Sequence, residues 1–245
     1  MVASQQIAPA QTNTGLYLQL HAHGHPTADI LRVQTAYRLA IRLFNGRYRK
    51  TERPFVCHAV GAASSVAHFE RDVDFIVAAM LHAAYDSGQF PDGRFGKASE
   101  PHRALLRATV GERAEDLVFR YPKLDFDTGA PERLVAGPLP EGMDDILFLA
   151  LAHEIDDLAD FGLAIAPKYG ASITSRLEAC ALLARRIGRD ALAEALEAQA
   201  LLYGDTEWVA ALRSERGHGF RVVPNVRAYI RLRRTQLRDR STDVF

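Results

Sequence analysis

The sequence predicts an all-α fold, and three observations support this prediction. Apolar residues recur at helical spacing in long segments, as at Val33, Tyr37 and Ile41. No segment shows the alternation of apolar and polar residues that is typical of a half-buried strand. Glycine and proline gather between the periodic segments, where they interrupt helices. A chain of 245 residues with this pattern is expected to form one continuous helical domain.

The first two thirds of the chain contain five predicted helices separated by glycine-rich or proline-rich breaks. We predict these helices at 28–45, 55–69, 72–86, 102–121 and 143–161. Asp72 is the expected N-cap of the helix at 72–86. The helix at 102–121 is interrupted near Gly111. The loop from Ser87 to Pro101, about 15 residues long, has the length of a lid or binding loop. The segment 122–140 is predicted to be irregular.

The last third of the chain differs in composition, because alanine and leucine fill its apolar positions. A helical hairpin is predicted at 172–187 and 190–203, broken at Gly188, followed by helices at 205–214 and 224–238. We therefore expect three parts. They are a disordered tail at 1–15, a helical domain at 16–168, and a C-terminal helical extension at 169–245 packed on the same domain. In the alternative, the apolar hairpin covers the partner subunit of a homodimer.

Composition limits the classes of function that this chain can have. Thirty basic residues balance thirty acidic ones, which argues against nucleic acid or a charged membrane as the obligatory partner. Cys57 and Cys180 are too few for a disulfide framework and are interpreted as free thiols in a reducing compartment. No signal peptide and no run of 18 apolar residues is found. We expect a cytoplasmic protein that binds a small-molecule substrate.

Three histidines on predicted apolar helices are the candidate metal ligands. His82 and His153 are each followed four residues later by an aspartate, Asp86 and Asp157, so each pair shares one helix face. His58 lies one turn into the helix at 55–69. Imidazole ligands suit zinc and the later divalent metals, whereas carboxylate-rich sites suit manganese and magnesium. The alternative for each is a core histidine that is hydrogen-bonded to backbone or carboxylate, and the spacing alone does not show that the three converge.

Other polar residues near these histidines have open assignments. Arg49 and Lys50 come just before the helix of His58 and are candidates to bind an anionic or planar ligand. Tyr85 either packs in the core or lines a pocket. The acidic run at Asp156, Asp157 and Asp160 is interpreted as a partly solvated face, from which Asp157 alone turns inward.

Four blocks of sequence carry a family resemblance. They read RKTERPFVCH at 49–58, AAMLHAAYDSG at 78–88, VGERAEDLVFRYPKL at 110–124 and LALAHEIDDL at 149–158. In order and spacing they resemble the hydrolase domain of Rel/Spo-type (p)ppGpp hydrolases, part of the HD superfamily. LHAAY and VGERAE also resemble small uncharacterised bacterial HD-like proteins that have a Leu-His-x-x-Tyr motif. The resemblance covers roughly residues 30–160 and implies an HD-domain-like helical bundle with a metal between helices.

The resemblance also implies the metal ligands, and this chain departs from the family at two of them. The family's first His, His-Asp doublet and late Asp match His58, His82, Ala83 and His153. One ligand is therefore lost at Ala83, and one has changed from Asp to His, which leaves a degenerate HD motif. The remaining imidazole set is neutral and softer than the family's, so it suits zinc with one open position, or iron or manganese.

Further site residues follow from the same resemblance. The Glu-Asp pair that positions the attacking water in the family matches Asp86 and Ser87. The arginine that stacks on the guanine base matches Arg49, and the asparagine that contacts the ribose matches Asp157.

The predicted function is a divergent HD-like metal-dependent hydrolase acting on a phosphorylated or nucleotide-like small molecule. In this hypothesis Asp86 orients or deprotonates a water molecule, and Arg49 with Lys50 meets the substrate. One alternative is a non-catalytic small-molecule-binding protein on the same fold. Another is a metal enzyme of other chemistry, an oxygenase or lyase in a biosynthetic pathway, because fold alone does not determine function.

Overall fold

The computed structural model describes residues 7–126, 129–139, 141–159, 173–205 and 220–222. These ranges are helical with essentially no sheet, so the predicted all-α class is confirmed. The helices are α1 (Asn13–Ala22), α2 (Thr27–Phe44), α3 (Phe55–Phe69), α4 (Val73–Leu81), α5 (Ala84–Ser87), α6 (Glu100–Val110), α7 (Glu112–Arg120), α8 (Ala130–Ala136), α9 (Asp144–Ala159), α10 (Ile173–Arg186) and α11 (Asp190–Asp205). Two short strands, β1 (Arg47–Tyr48) and β2 (Phe220–Arg221), pair in antiparallel fashion.

The predicted helix at 72–86 is in fact two helices. Asp72 caps α4 as expected, because its side chain accepts a hydrogen bond from the Asp74 amide. The helix then ends at Leu81, and Ala83 has φ −94° and ψ 12°, outside the helical region, before α5 begins. The interruption falls at the His82-Ala83 pair, where it turns the His82 ring toward the preceding turn.

Two segments differ from the prediction because local patterns misled it. The segment 122–140 is not wholly irregular, since a 3₁₀ turn covers Tyr121–Leu124 and α8 follows. Prolines favour rather than forbid these elements, because Pro122 and Pro131 lie in first turns where no backbone N–H is needed. The short strands β1 and β2 were also missed, since two residues carry no alternation. The predicted helices at 205–214 and 224–238 lie outside the described residues.

The N-terminal region is more ordered than expected. The Ala10 amide donates a hydrogen bond of 2.8 Å to the Ser64 hydroxyl, and α1 begins at Asn13. The predicted tail at 1–15 therefore ends well before residue 15. Leu16 and Leu20 bury one stripe of α1, whereas the exposed Leu18 obscures the amphipathic pattern in the sequence.

The centre of the core is formed by α3, α4 and α9, which contact one another. The middle of α3 is a run of small buried residues from Ala59 to Ala67, and small side chains let the neighbouring helices approach closely. Every residue of α4 except Asp74 is buried, as expected for a central helix. This close packing holds the start of α3, the end of α4 and the middle of α9, where His58, His82 and His153 lie, in fixed positions.

The C-terminal hairpin packs on the same core as the rest of the chain. The helices α10 and α11 contact each other and also contact α9, and α10 contacts α8. Leu177, Leu183 and Leu196 belong to a buried apolar cluster that also includes residues of α1 to α7 and α9. The turn between the two helices is made at Gly188, whose φ of +70° suits glycine. The described part of the extension, α10 and α11, therefore packs on the same apolar core as the preceding helices.

None of the helices in the described ranges combines the length and the apolarity that crossing a bilayer requires.

Candidate metal centre

Three imidazole rings from separate helices meet at one point. His58 lies in the first turns of α3, His82 follows the end of α4, and His153 lies on α9. The Nε2 atom of His58 is 3.3 Å from Nε2 of His82 and 3.0 Å from Nε2 of His153. The candidate ligand atoms of all three lie within 4.8 Å of one another. We call this group the imidazole cluster.

The position of the proton on the His82 ring is set by a hydrogen bond to the last turn of α4. Its Nδ1 lies 2.8 Å from the Ala79 carbonyl oxygen, which can only accept, so Nδ1 carries the proton. The unprotonated Nε2 then directs its lone pair toward the other two rings. The ring of His82 therefore presents an unprotonated Nε2 to His58, 3.3 Å away.

His58 is oriented by a buried aspartate that the sequence analysis misjudged. Its Nδ1 lies 2.7 Å from Oδ2 of Asp156, whose side chain is fully buried and not on a solvated face. Arg53 donates to both carboxylate oxygens of Asp156, at 2.6 and 3.0 Å. Burial raises the pKa of Asp156 to about 7, and the Arg53 guanidinium opposes this rise by favouring the ionised form. A carboxylate that accepts the Nδ1 proton of histidine is a common support for a metal-binding Nε2.

The three rings are neutral and their lone pairs crowd together. Burial lowers the pKa of His82 and of His153 to about 4, and lowers that of His58 well below its usual value. With Nδ1 of His58 and His82 protonated, their Nε2 lone pairs face each other at 3.3 Å. Such a contact is unfavourable unless a positive group lies against the lone pairs. The Arg49 guanidinium, 2.9 Å from Nε2 of His58, is one such group, and a metal ion held by the three rings would be another. Tetrahedral zinc with Zn–N bonds of about 2.0–2.1 Å needs ligand nitrogens about 3.3 Å apart, close to the distances found here.

The positively charged guanidinium of Arg49 lies against the imidazole cluster. One guanidinium nitrogen is 2.5 Å from Nδ1 and 2.9 Å from Nε2 of His58, and the other donates to Asp157 at 3.0 Å. Burial alone would raise the pKa of Asp157, but the charge and hydrogen bonds of Arg49 lower it to about 2. Asp157 faces Arg49 and neutralises it, but the prediction that Asp157 alone turns inward is wrong, because the Asp156 side chain is buried more completely. The guanidinium must shift slightly if a cation is to enter.

Gly61 leaves the space in which the Asp156 carboxylate lies. A Cβ at position 61 would be 1.6 Å from Oδ1 of Asp156 and 2.6 Å from a guanidinium nitrogen of Arg53. Alanine would otherwise be preferred in the middle of a helix such as α3. The glycine is therefore required by this ion pair.

The remaining predicted site residues lie around or away from the imidazole cluster. Asp86 lies on α5 with an exposed side chain, and partial burial raises its pKa. Lys50 lines a cavity described below. Tyr85 is buried, and its hydroxyl donates to Glu115 at 2.8 Å while its ring stacks on Phe90. These contacts favour the packing alternative for Tyr85.

One aromatic residue at the site was not found from the sequence. The Tyr121 ring centroid lies 5.2 Å from that of His82 and 6.5 Å from that of His153. Burial and the negative charge of Glu154 raise the pKa of Tyr121, so its hydroxyl stays protonated. It closes the imidazole cluster on the α7 side. The only hint in the sequence is its place at the end of the third family-like block.

A cavity of about 320 Å³ lies next to the imidazole cluster. Two of its wall residues also touch His58, namely Arg49 and Phe55, whose ring packs edge-on at 5.4 Å. The cavity is lined by Arg47, Tyr48, Arg49, Lys50, Phe55 and Ser87. The side chains of His153 and Asp157 are 15% and 14% exposed, against 1% for His58, so the imidazole cluster opens on their side.

Comparison with known proteins adds a family match without a function. A family described as a domain of unknown function (DUF6817) matches residues 43–125, about a third of the chain. His58 and His82 fall within this range, whereas His153 and Asp156 lie beyond it. No curated protein matches the sequence.

Among the described residues, two overlapping groups have the geometry to hold a metal ion. One is the imidazole cluster, and the other joins His58 to Asp156 and Asp157. Asp156 and Asp157 already accept hydrogen bonds from Arg53 and Arg49, so their oxygens are largely satisfied. The imidazole cluster is the better candidate because, in the described part of the chain, no arginine donates to Nε2 of His82 or of His153, although Arg49 lies 2.9 Å from Nε2 of His58.

Proposed function

We propose that this protein is a metal-dependent hydrolase of HD-superfamily type that acts on a phosphorylated or nucleotide-like small molecule. The observation that carries the proposal is the approach of three Nε2 atoms to 3.0 and 3.3 Å, with the proton of His82 held on Nδ1. His58, His82 and His153 would hold the metal, and zinc fits this neutral nitrogen set best.

The charge balance of the site favours an anionic substrate. Arg49 is paired with Asp157, and Arg53 with Asp156, so these four charges cancel. The three imidazoles are neutral. A divalent cation would therefore leave a net positive centre beside a cavity that already contains Arg47 and Lys50. A phosphate group is the natural ligand for such a field.

The residues around the imidazole cluster have distinct roles in this proposal. When bound, a divalent metal supplies a lowered water pKa and polarisation of a phosphoryl oxygen. Asp86 would accept the proton of the attacking water, and desolvation raises its pKa, which makes it a stronger base than an ordinary aspartate. Arg49 orients the substrate through its guanidinium, and Asp157 keeps Arg49 in place. Asp156 holds the His58 ring in the ligand orientation.

The test compares metal content and phosphatase activity in matched variants of the full chain. Wild type and His21→Ala, a change at an exposed histidine on α1, should both retain stoichiometric metal and hydrolyse phosphate esters or nucleotides. His82→Ala and His153→Ala should lose metal and turnover together. Asp86→Asn should keep the metal and lose about 10²–10⁴-fold in kcat. A wild-type protein that binds neither zinc, iron nor manganese refutes the proposal.

One observation favours the second candidate, a non-catalytic small-molecule-binding protein. The Arg49 guanidinium lies against both ring nitrogens of His58, and Ala83 offers no carboxylate to offset a metal's charge. If the guanidinium rather than a metal fills this space, chelator will leave the thermal stability unchanged. Iron in place of zinc in the purified protein would instead direct the search toward oxidative chemistry.

A further inference from the structure

Two arginines face each other at the edge of the cavity beside the imidazole cluster. The strands β1 and β2 pair Arg47 directly with Arg221. Directly opposed residues of an antiparallel pair project from the same face of the ribbon. Arg47 also lines the cavity, so the strand pair brings a residue from the C-terminal region to its rim.

An opposed pair of arginines is unfavourable without a counter-charge. Burial and the positive charge of Arg221 lower the pKa of Arg47, which is the direction expected for repulsion. Within the described ranges, neither guanidinium forms an ion pair with a carboxylate. Both instead lie near the ring of Phe95, at 5.5 Å for Arg47 and 5.2 Å for Arg221. That exposed ring provides a common platform but no negative charge.

The ring of Phe95 belongs to a loop that is ordered by contacts of its other residues. Phe90 stacks on His102 with ring centroids 3.8 Å apart, and the His102 ring contacts Asp92 at 2.9 Å. The Gly96 amide donates to the Gly88 carbonyl oxygen, which closes the loop on the end of α5. The loop predicted to be a lid or binding loop thus presents Phe95 in a defined position next to the two arginines.

We propose that Arg47 and Arg221 form an anion-binding pair that holds a phosphate or diphosphate group of the ligand at the rim of the cavity. Guanidinium groups bind phosphate oxygens through paired N–H donors, and two of them can grip one phosphate from two sides. The phosphate or diphosphate group would supply the counter-charge that the two guanidinium groups do not find among the described residues. The assignment of this ligand as the substrate rests on the proposed function, whereas the binding of the anion does not.

The direct test is a calorimetric titration of the full chain with inorganic pyrophosphate in the presence of chelator. Wild type should bind, and Arg47→Gln and Arg221→Gln should each weaken the affinity about ten- to hundredfold. Arg221→Lys should recover only part of the loss, because lysine keeps the charge but not the paired donors. Arg94→Ala is the matched control, since this exposed arginine precedes Phe95 in the same loop and should leave the affinity unchanged.

The outcomes separate this inference from the proposed function. If pyrophosphate binds through the two arginines but no phosphate ester is hydrolysed, the anion site stands and the hydrolase proposal falls. If hydrolysis occurs and both glutamine variants leave KM unchanged, the anion site falls and the hydrolase proposal stands. If the variants lower only the melting temperature, the arginines serve to stack on Phe95, and the inference is overturned. Absence of pyrophosphate binding by the wild type overturns it as well.

Discussion

Replacing Gly61 by alanine should damage the imidazole cluster without touching any histidine. The added methyl group would lie 1.6 Å from Oδ1 of Asp156, whereas real Cβ contacts are essentially never under 3.0 Å. The carboxylate must therefore leave its position between Arg53 and His58. Breaking a buried ion pair costs about 3–5 kcal/mol. Alanine returns about 0.5–1 kcal/mol through its better helix propensity.

The expected net loss is about 2–4 kcal/mol of unfolding free energy, which corresponds to a fall of about 5–15 °C in melting temperature for a chain of this size. Circular dichroism during heating in chelator measures this loss independently of metal. Zinc affinity, measured by competition with a chromogenic chelator, should fall about 10–100-fold because His58 loses its orienting carboxylate. Gly137→Ala is the control, since its Cβ would meet the Arg133 carbonyl oxygen at an ordinary 3.4 Å.

A double-mutant cycle makes the reasoning refutable even if Gly61→Ala is poorly folded. In a chain that already carries Asp156→Ala, the methyl group at 61 has no carboxylate to displace. Gly61→Ala should then lower the unfolding free energy far less than it does in the wild type. The effects of the two substitutions on the unfolding free energy should therefore be strongly non-additive. Equal costs in both backgrounds, or a wild-type melting temperature for Gly61→Ala alone, would show that the glycine does not serve the ion pair.

Three further predictions concern the surroundings of the site. Tyr85→Phe should lower the unfolding free energy by about 0.5–1.5 kcal/mol, because Glu115 loses one donor, and should leave zinc affinity unchanged in the same competition assay; weaker zinc binding would place Tyr85 in the pocket. Burial alone would raise the pKa of Glu115, but hydrogen bonds from Arg103 and Tyr85 lower it below 4.5. A carboxyl group with a depressed folded pKa stabilises the protein above its unfolded pKa and loses this effect as pH falls through the folded pKa. The difference in melting temperature between wild type and Glu115→Gln should therefore shrink as the pH falls below about 4.5; a constant difference contradicts it. Zinc at a hundredfold excess over Kd should add about 2.7 kcal/mol of stability, and His153→Ala should abolish this gain in thermal melts.

The sequence predicted the helices that carry the site because their apolar periodicity is strong. The helix at 55–69 has the bounds that were expected. The convergence of His58, His82 and His153 could not be read from the spacing and is seen only in the folded chain. The break at Ala83 was not predicted, since alanine has the highest helix propensity and nothing in its neighbours indicates an interruption.

Asp156 could not be assigned from its own segment. It lies in an acidic run beside Asp157, and such runs usually face solvent. The signal that could have found it is its spacing, because positions three and four after His153 share the face of that histidine. Its burial depends on partners far away in sequence, Arg53 and Gly61, and only the folded chain brings them together.

The segment similar to DUF6817 ends at residue 125, before α9 begins. A fragment trimmed to that segment would contain His58 and His82. It would lack His153 and also Asp156, the aspartate that orients His58. Screening such a fragment for bound zinc would therefore not test the site of the intact chain. A search for proteins with the same arrangement of histidines should therefore include the downstream His-x-x-Asp, here His153 and Asp156, and not the matched segment alone.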